Sequence, residues 1–438
     1  PGTLIESEQF ALGTVETGSA SLVTSAEQRF DWEQATQSWR FGEGRYRAQL
    51  GSGGLPQFSL ENGDYDLSHE AWRFPLEGRT GFSLEGTSGQ AGNGMLWLRN
   101  LQHSLSGSIE WPVAKQDLEL ALQIDATADG MQAASITATQ LSARGGLSLM
   151  LAKRATTVAI EPDFRLGAAA VGDARLALES AQLLMADPLS LQLTENGVEV
   201  SPETDTPLAL TLSAGKIGSN GNIAESVSLA LDGRLETPAP GTLHVDGKLR
   251  LLAANLERGA SRAASLQAEG GISLVREGDA PLRASLEPGF SARVAKLRSH
   301  ALAMEEAKVT TQQALPLLFS EGSAIAGSLR IDHSALTHPD FRLEPGSVSL
   351  EIDAAAGDEA VAGQLFAERQ SILIDGQAWN AASHAADFVL SSSNLASEGS
   401  LDLNHVTLVQ NGARRGPGAI AEPGGESGAE RIAPRVYI

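Results

Sequence analysis

The chain of 438 residues contains no cysteine, and only 5% of it is aromatic. Without thiols it can form neither a disulfide nor a thiolate metal site, and it has no cysteine nucleophile. Their absence from so long a chain favours an exported protein that avoids thiol chemistry. Basic residues are also scarce: 32 Lys and Arg stand against 54 Asp and Glu, a formal charge of −22. No cluster of Lys and Arg forms, so nucleic acid is excluded as a partner and docking on anionic headgroups is disfavoured. No run approaches the roughly 18 consecutive apolar residues of a membrane span. A Gly-x-Ser-x-Gly elbow, a phosphate loop and a paired-carboxylate signature are all missing, so no residue is assigned a catalytic role and no cofactor is expected. The chain opens at Pro1 with neither an initiator methionine nor a leader-like segment, the expectation for a piece of something longer.

What is present is one pattern, repeated. Leu208-Ala-Leu210-Thr-Leu212, Val227-Ser-Leu229-Ala-Leu231 and Val348-Ser-Leu350-Glu-Ile352 alternate apolar with polar residues. Leu118-Glu-Leu120-Ala-Leu122-Gln-Ile124 does so over seven positions. Period-two alternation gives a strand one apolar and one wet face. Gly, Asn-Gly and Asp-Gly punctuate the runs, among them Asn62-Gly63, Asp129-Gly130, Asp232-Gly233, Asp246-Gly247 and Asp375-Gly376, and read as turns. The pattern predicts an all-β chain: one elongated, curled antiparallel sheet of about 25–30 strands at roughly 15 residues per strand and turn. A softer stretch from Lys296 to Leu318 admits a helical insertion, which Pro316 keeps short.

Three segments differ in texture. Residues 1–110 are richer in aromatics, and five of the six tryptophans (Trp32, Trp39, Trp72, Trp97, Trp111) fall at or just past this span. They read as plugging the narrow end of a β core, or as an aromatic rim for a ligand. Residues 111–410 are the repetitive body, and 411–438 lose all periodicity and read as a flexible tail. The eight histidines are scattered. Only His333, His338 and Asp340 lie close in sequence, and their spacing matches no metal template, so no metal site is assigned. The Asp-Gly pairs are too far apart for a calcium-binding β-roll.

The phrases Leu243-His-Val-Asp-Gly-Lys-Leu-Arg-Leu251, Ile325-Ala-Gly-Ser-Leu-Arg-Ile331 and Ser397-Glu-Gly-Ser-Leu-Asp-Leu403 carry a likeness. The texture resembles the AsmA-like bridge-type lipid transfer proteins of Gram-negative envelopes, the group that includes TamB and YdbH, and is nearest its YdbH-like branch. The resemblance implies a β-taco, a sheet folded into a lengthwise groove that is apolar within and polar without. It also implies phospholipid acyl chains as cargo, moved through the periplasm between inner and outer membranes. An N-terminal inner-membrane anchor and a C-terminal contact with a small outer-membrane lipoprotein would belong to such a protein and lie outside this sequence. In this reading Leu120, Leu122, Ile124, Leu191, Leu193, Leu210, Leu212, Leu229, Leu231, Val245, Leu249, Leu329, Ile331, Leu350 and Ile352 line one lipid-binding inner surface. The alternative is a structural or adhesive β-solenoid or sandwich whose core is filled by its own side chains; the scarcity of large aromatics after Trp111 favours the groove.

Overall fold

The structure is a computed structural model of the chain. It describes most of residues 4–410 together with 413–414 and 435–437. Short stretches inside that span, among them 111–117, 201–205, 319–326 and 392–399, and residues 415–434 lie outside the described residues. Most of the span expected to be a tail is thus not described.

The fold is all-β, built on a large antiparallel open sheet that does not close into a barrel, and the described residues include no helix. The helical insertion admitted between Lys296 and Leu318 is replaced by strands Ser291–Ser299, Leu302–Thr311 and Leu315–Leu318. The alternation falters there because Lys296 takes a left-handed conformation (φ 51°), which throws its neighbours out of step. The chain forms two compact units, Pro1–Asn220 with Arg234–Gly241, and Gly221–Gly233 with Thr242–Ile438.

Long hairpins start the first unit: Gly44–Leu55 with Phe58–His69, Arg79–Gly92 with Leu96–Glu110, and Leu118–Ala133 with Ile136–Leu151. Thr242–Arg258 with Ser261–Glu277 plays the same part in the second. Several Gly dipeptides read as turns lie instead inside strands. Asp129-Gly130, Asp232-Gly233 and Asp246-Gly247 are mid-strand, as is Asn62-Gly63. Gly233 and Gly247 are needed there because the two backbones touch: a Cβ on Gly233 would come 2.6 Å from the Gly247 Cα.

Two lines of kinks bend the strands. Along the first, one non-glycine residue in the strand takes positive φ and the ladder skips a pair: Asn62, Asn100, Gln140 and Ser180 in the first unit, Asn255 and Lys296 in the second. Asparagine tolerates this conformation best. Two of them add an outward bond, from the Asn100 amide to Asp129 (2.8 Å) and from the Asn255 amide to Glu225 (2.7 Å). Beside the kinks, alanines are buried despite their size: Ala128, Ala181 and Ala214 in the first unit, Ala253 and Ala307 in the second. By register these alanines all stand on the apolar face of their units.

The second line is made by glycine and proline, and one device occurs once in each unit. Gly145-Gly146-Leu-Ser-Leu149 is followed across the sheet by Glu161-Pro162-Asp163-Phe164, and Gly270-Gly271-Ile-Ser-Leu274 by Glu287-Pro288-Gly289-Phe290. Gly145 and Gly270 have φ of +150° and +153°. Phe164 and Phe290 lie directly on these glycines, while the Glu161 and Glu287 carboxylates cover Gly146 and Gly271 on the other face. The Glu161 N–H donates to the Gly146 carbonyl and the Glu287 N–H to that of Gly271, both at 2.9 Å. Here the long strand forks into two short partners, Thr156–Ile160 and Phe164–Gly172 in the first unit, Arg283–Leu286 and Ser291–Ser299 in the second. From Gln140 to Gly145, or Ala264 to Gly270, the two kinks stand about 17–20 Å apart along the strand.

Replacing Gly270 by Ala should strain the backbone and bring the new Cβ within 2.5 Å of the Phe290 Cα. The expected loss is about 1–3 kcal/mol. Gly218, which has open space around it, should accept Ala with little change. Urea unfolding midpoints of the two variants measure the difference.

Candidate functional site

Residues directly opposite one another on antiparallel strands share a face, so the register shows which side chains meet. In the first unit Leu120 stands between Ile109 and Leu149, and the row continues through Val158 to Leu191. Leu122 lies between Gly107 and Leu147, followed by Ile160 and Leu189. Ile124 sits between Leu105 and Gly145. Leu210 is opposite Met185, which pairs with Phe164; Leu212 is opposite Leu183, which pairs with Leu166. Leu193 holds the next position of its strand on that face, opposite Thr156. These seven positions therefore share one face, the same face as the buried alanines beside the kinks.

The second unit repeats the arrangement. Val245 pairs with Leu274 and Leu249 with Gly270. Ile331 joins Val309 to Val348, and Leu329 joins Thr311 to Leu350. Ile352 is opposite Gly327. Gly233 abuts Gly247, which puts Leu229 and Leu231, four and two residues back along the strand, on the face of Val245 and Leu249. Within each unit the positions expected to line an inner surface thus lie together on one side.

That side is apolar but not sealed. Val245 is 5% exposed, whereas Leu166 in the middle of the face is 42% and Leu151 40% exposed. Most of the others are half-buried, shielded by flanking side chains and the curl. A packed sandwich core would exclude water from them entirely.

The opposite side is charged. Arg47 pairs with Asp64 at 2.8 Å and Arg144 with Asp125 at 2.5 Å, and the hydrogen bond from Arg47 holds the Asp64 carboxyl below its ordinary range. A shallow cavity of about 540 Å³ on this side gathers Asp64, Asp66, Glu85 and Asp125. Among the described residues no group of three or more His, Asp or Glu could hold a metal ion. His338 and Asp340 make a local turn, the Asp340 N–H donating to His338 Nδ1 at 3.2 Å, while His333 Nδ1 lies 2.8 Å from the carbonyl of Ser334.

Two Tyr-His pairs on the apolar face of the first unit escaped the sequence reading. Tyr46 Oη lies 3.3 Å from His69 Nε2 with the rings 5.8 Å apart, and Tyr65 stands 5.7 Å from His103. The alternation Tyr65-Asp-Leu67-Ser-His69 puts them on Leu67's face; reading the histidines one by one concealed it. Tyr65 also leans over Gly63 and Gly86, filling the space a side chain would occupy. Burial raises the pKa of Tyr65, opposed by the Ser88 hydroxyl, and raises that of Tyr46. It lowers that of His103. In all three groups burial disfavours the charged form.

His103 should therefore titrate below the ordinary imidazole value of about 6.5 in an NMR pH series. The unfolded chain binds the proton more readily, so this histidine's contribution to stability is complete at higher pH. It is lost as pH falls below about 6.5 towards the folded-state pKa. Replacing His103 by Gln should remove that component of the acid destabilisation.

No family model, no curated protein and no solved structure matches this chain.

Proposed function

We propose that the apolar face of each unit is a track for phospholipid acyl chains, and that the protein carries them through a cell envelope between two membranes. The observation that supports this is a one-sided, aliphatic face on which Leu166 stays exposed. A surface of that kind gains about 0.8 kcal/mol for each methylene it takes from water. Adjacent positions along the face are Leu, Ile, Val and Ala in turn, so a chain that shifts by one strand exchanges one contact for a similar one. The barrier to movement is then low. A phosphate headgroup would lose its hydration inside such a trough and stays outside. With the face aliphatic, selection acts on chain character and not on headgroup.

The resemblance to the AsmA-like group adds the periplasm of a Gram-negative bacterium, an inner-membrane anchor and a small outer-membrane lipoprotein partner to the same proposal. Among the described residues no helix is long and apolar enough to cross a membrane. A scaffold or adhesin with a self-filled core accounts less well for the open leucines.

Native mass spectrometry of the purified protein should show bound phospholipid of several headgroup classes. A photo-crosslinking residue at Leu166 or Leu229 should capture lipid in cells, while one at Glu119 on the other face should not. Leu212→Asp and Leu229→Asp should lose the bound lipid yet remain folded, because an open face leaves the carboxylate access to water. Equal capture at Glu119, or unfolding of both variants, would favour the self-filled core.

A further inference from the structure

A small three-stranded sheet in the first unit, Phe30–Glu33, Ser38–Phe41 and Trp72–Phe74, is separate from the main one. Its register aligns Phe30 with Phe41 and Phe41 with Trp72, and likewise Trp32 with Trp39 and Trp39 with Phe74. Residues two apart on a strand share a face, so all six aromatic positions fall on one side. The other side aligns Asp31, Arg40 and Arg73. Phe41 and Trp72 stack at 3.9 Å with an interplanar angle of 9°, and Trp32 is 51% exposed.

This sheet continues the rows of the main one. Ser38–Phe41 leads into Gly44–Leu55 through Gly42-Glu43, and Phe58–His69 leads into Trp72–Phe74 through Glu70-Ala71. Gly44 pairs with His69 on one side of the break and Phe41 with Trp72 on the other, in unbroken register. The aromatic plate is thus rigidly coupled to strands that carry the apolar face.

We propose that the plate seats in the interfacial layer of a lipid bilayer, so that the end of the acyl-chain track meets the membrane there. The inference rests on the acyl-chain reading for the choice of surface. Three observations favour a bilayer. No polar residue occupies a position on the aromatic side, whereas a sugar site requires hydrogen-bonding groups beside its stacking rings. A core plug would bury Trp32, which instead meets solvent. Trp32, Phe41 and Trp72 share that side, with Trp32 exposed and Phe41 stacked on Trp72, and Trp and Phe suit the headgroup–acyl boundary. Asp31 offsets part of the charge of Arg40 and Arg73, so apolar partitioning drives the docking and zwitterionic lipid suffices.

The test uses the full chain with vesicles of phosphatidylcholine. Co-sedimentation is expected, with tryptophan fluorescence quenched when the lipid carries brominated acyl chains. Trp32→Glu, at an exposed position, should weaken vesicle binding roughly tenfold or more, and Trp32→Ser should weaken it in the same direction. Trp97→Phe, away from the plate, should leave it unchanged. Both Trp32 variants should still take up detergent-dispersed phospholipid, while Leu229→Asp should lose that uptake and keep vesicle binding. Absence of quenching in the unaltered protein, or binding as strong in the Trp32 variants, overturns the plate. Binding that requires anionic lipid and vanishes in salt overturns it too, since the arginine side would then be responsible. Vesicle binding without uptake in the unaltered protein overturns the acyl-chain reading and leaves the plate standing.

Discussion

Everything in this fold depends on one unmet requirement: an antiparallel sheet with one apolar face has to shield that face from water. Sandwiches do it with a second sheet and barrels by closing. Neither solution operates within the described residues. Each unit instead kinks its own strands along two lines, and its apolar side is sheltered in part. The shielding is partial, which is why Ala128 in the corner is buried while Leu166 on the floor is not.

Bending a sheet without breaking its ladders calls for local devices, and the two lines use different ones. Along the first, single residues such as Gln140, Ser180 and Lys296 accept positive φ at a cost on the order of 1–2 kcal/mol each. Along the second, a glycine pair turns the strand and a Glu-Pro-x-Phe corner fills both sides of the gap. Phe164 and Phe290 restore to the inner face the apolar surface that Gly145 and Gly270 lack. The same device in both units makes them variations of one plan. The outward ion pairs contribute little, since pairs as exposed as Arg144 with Asp125 are worth roughly 0–1 kcal/mol; their role is to keep the charged side wet and its strands in register.

The function we propose follows from leaving the requirement half met. A fully packed core would be more stable and could carry nothing. A flat sheet would aggregate through its apolar side. In the function we propose, the apolar face lies between, with aliphatic contacts good enough to hold an acyl chain and uniform enough to let it go. Burial disfavours the charged forms of Tyr65 and His103 at the polar spot of the face, which preserves that uniformity.

The sequence by itself determined the strands and their faces. Period-two alternation is a local property, and the strand register puts positions such as Leu120, Leu122, Ile124, Leu210 and Leu212 on one face of the first unit and Leu329 and Ile331 on one face of the second. It could not reveal where that side bends. Gly130, Gly233 and Gly247 look like turn residues because Asp-Gly favours turns locally, yet a cross-strand neighbour approaching too closely for a Cβ fixes the meaning of Gly233 and Gly247. Gln140 and Lys296 carry no signal for positive φ, since only the strained curl of many paired strands makes that conformation the lesser cost. The Tyr-His pairs and the aromatic plate likewise arise from register, which joins residues far apart in the chain. Local chemistry set the faces; pairing across the sheet decided their curvature, and with it what they can hold.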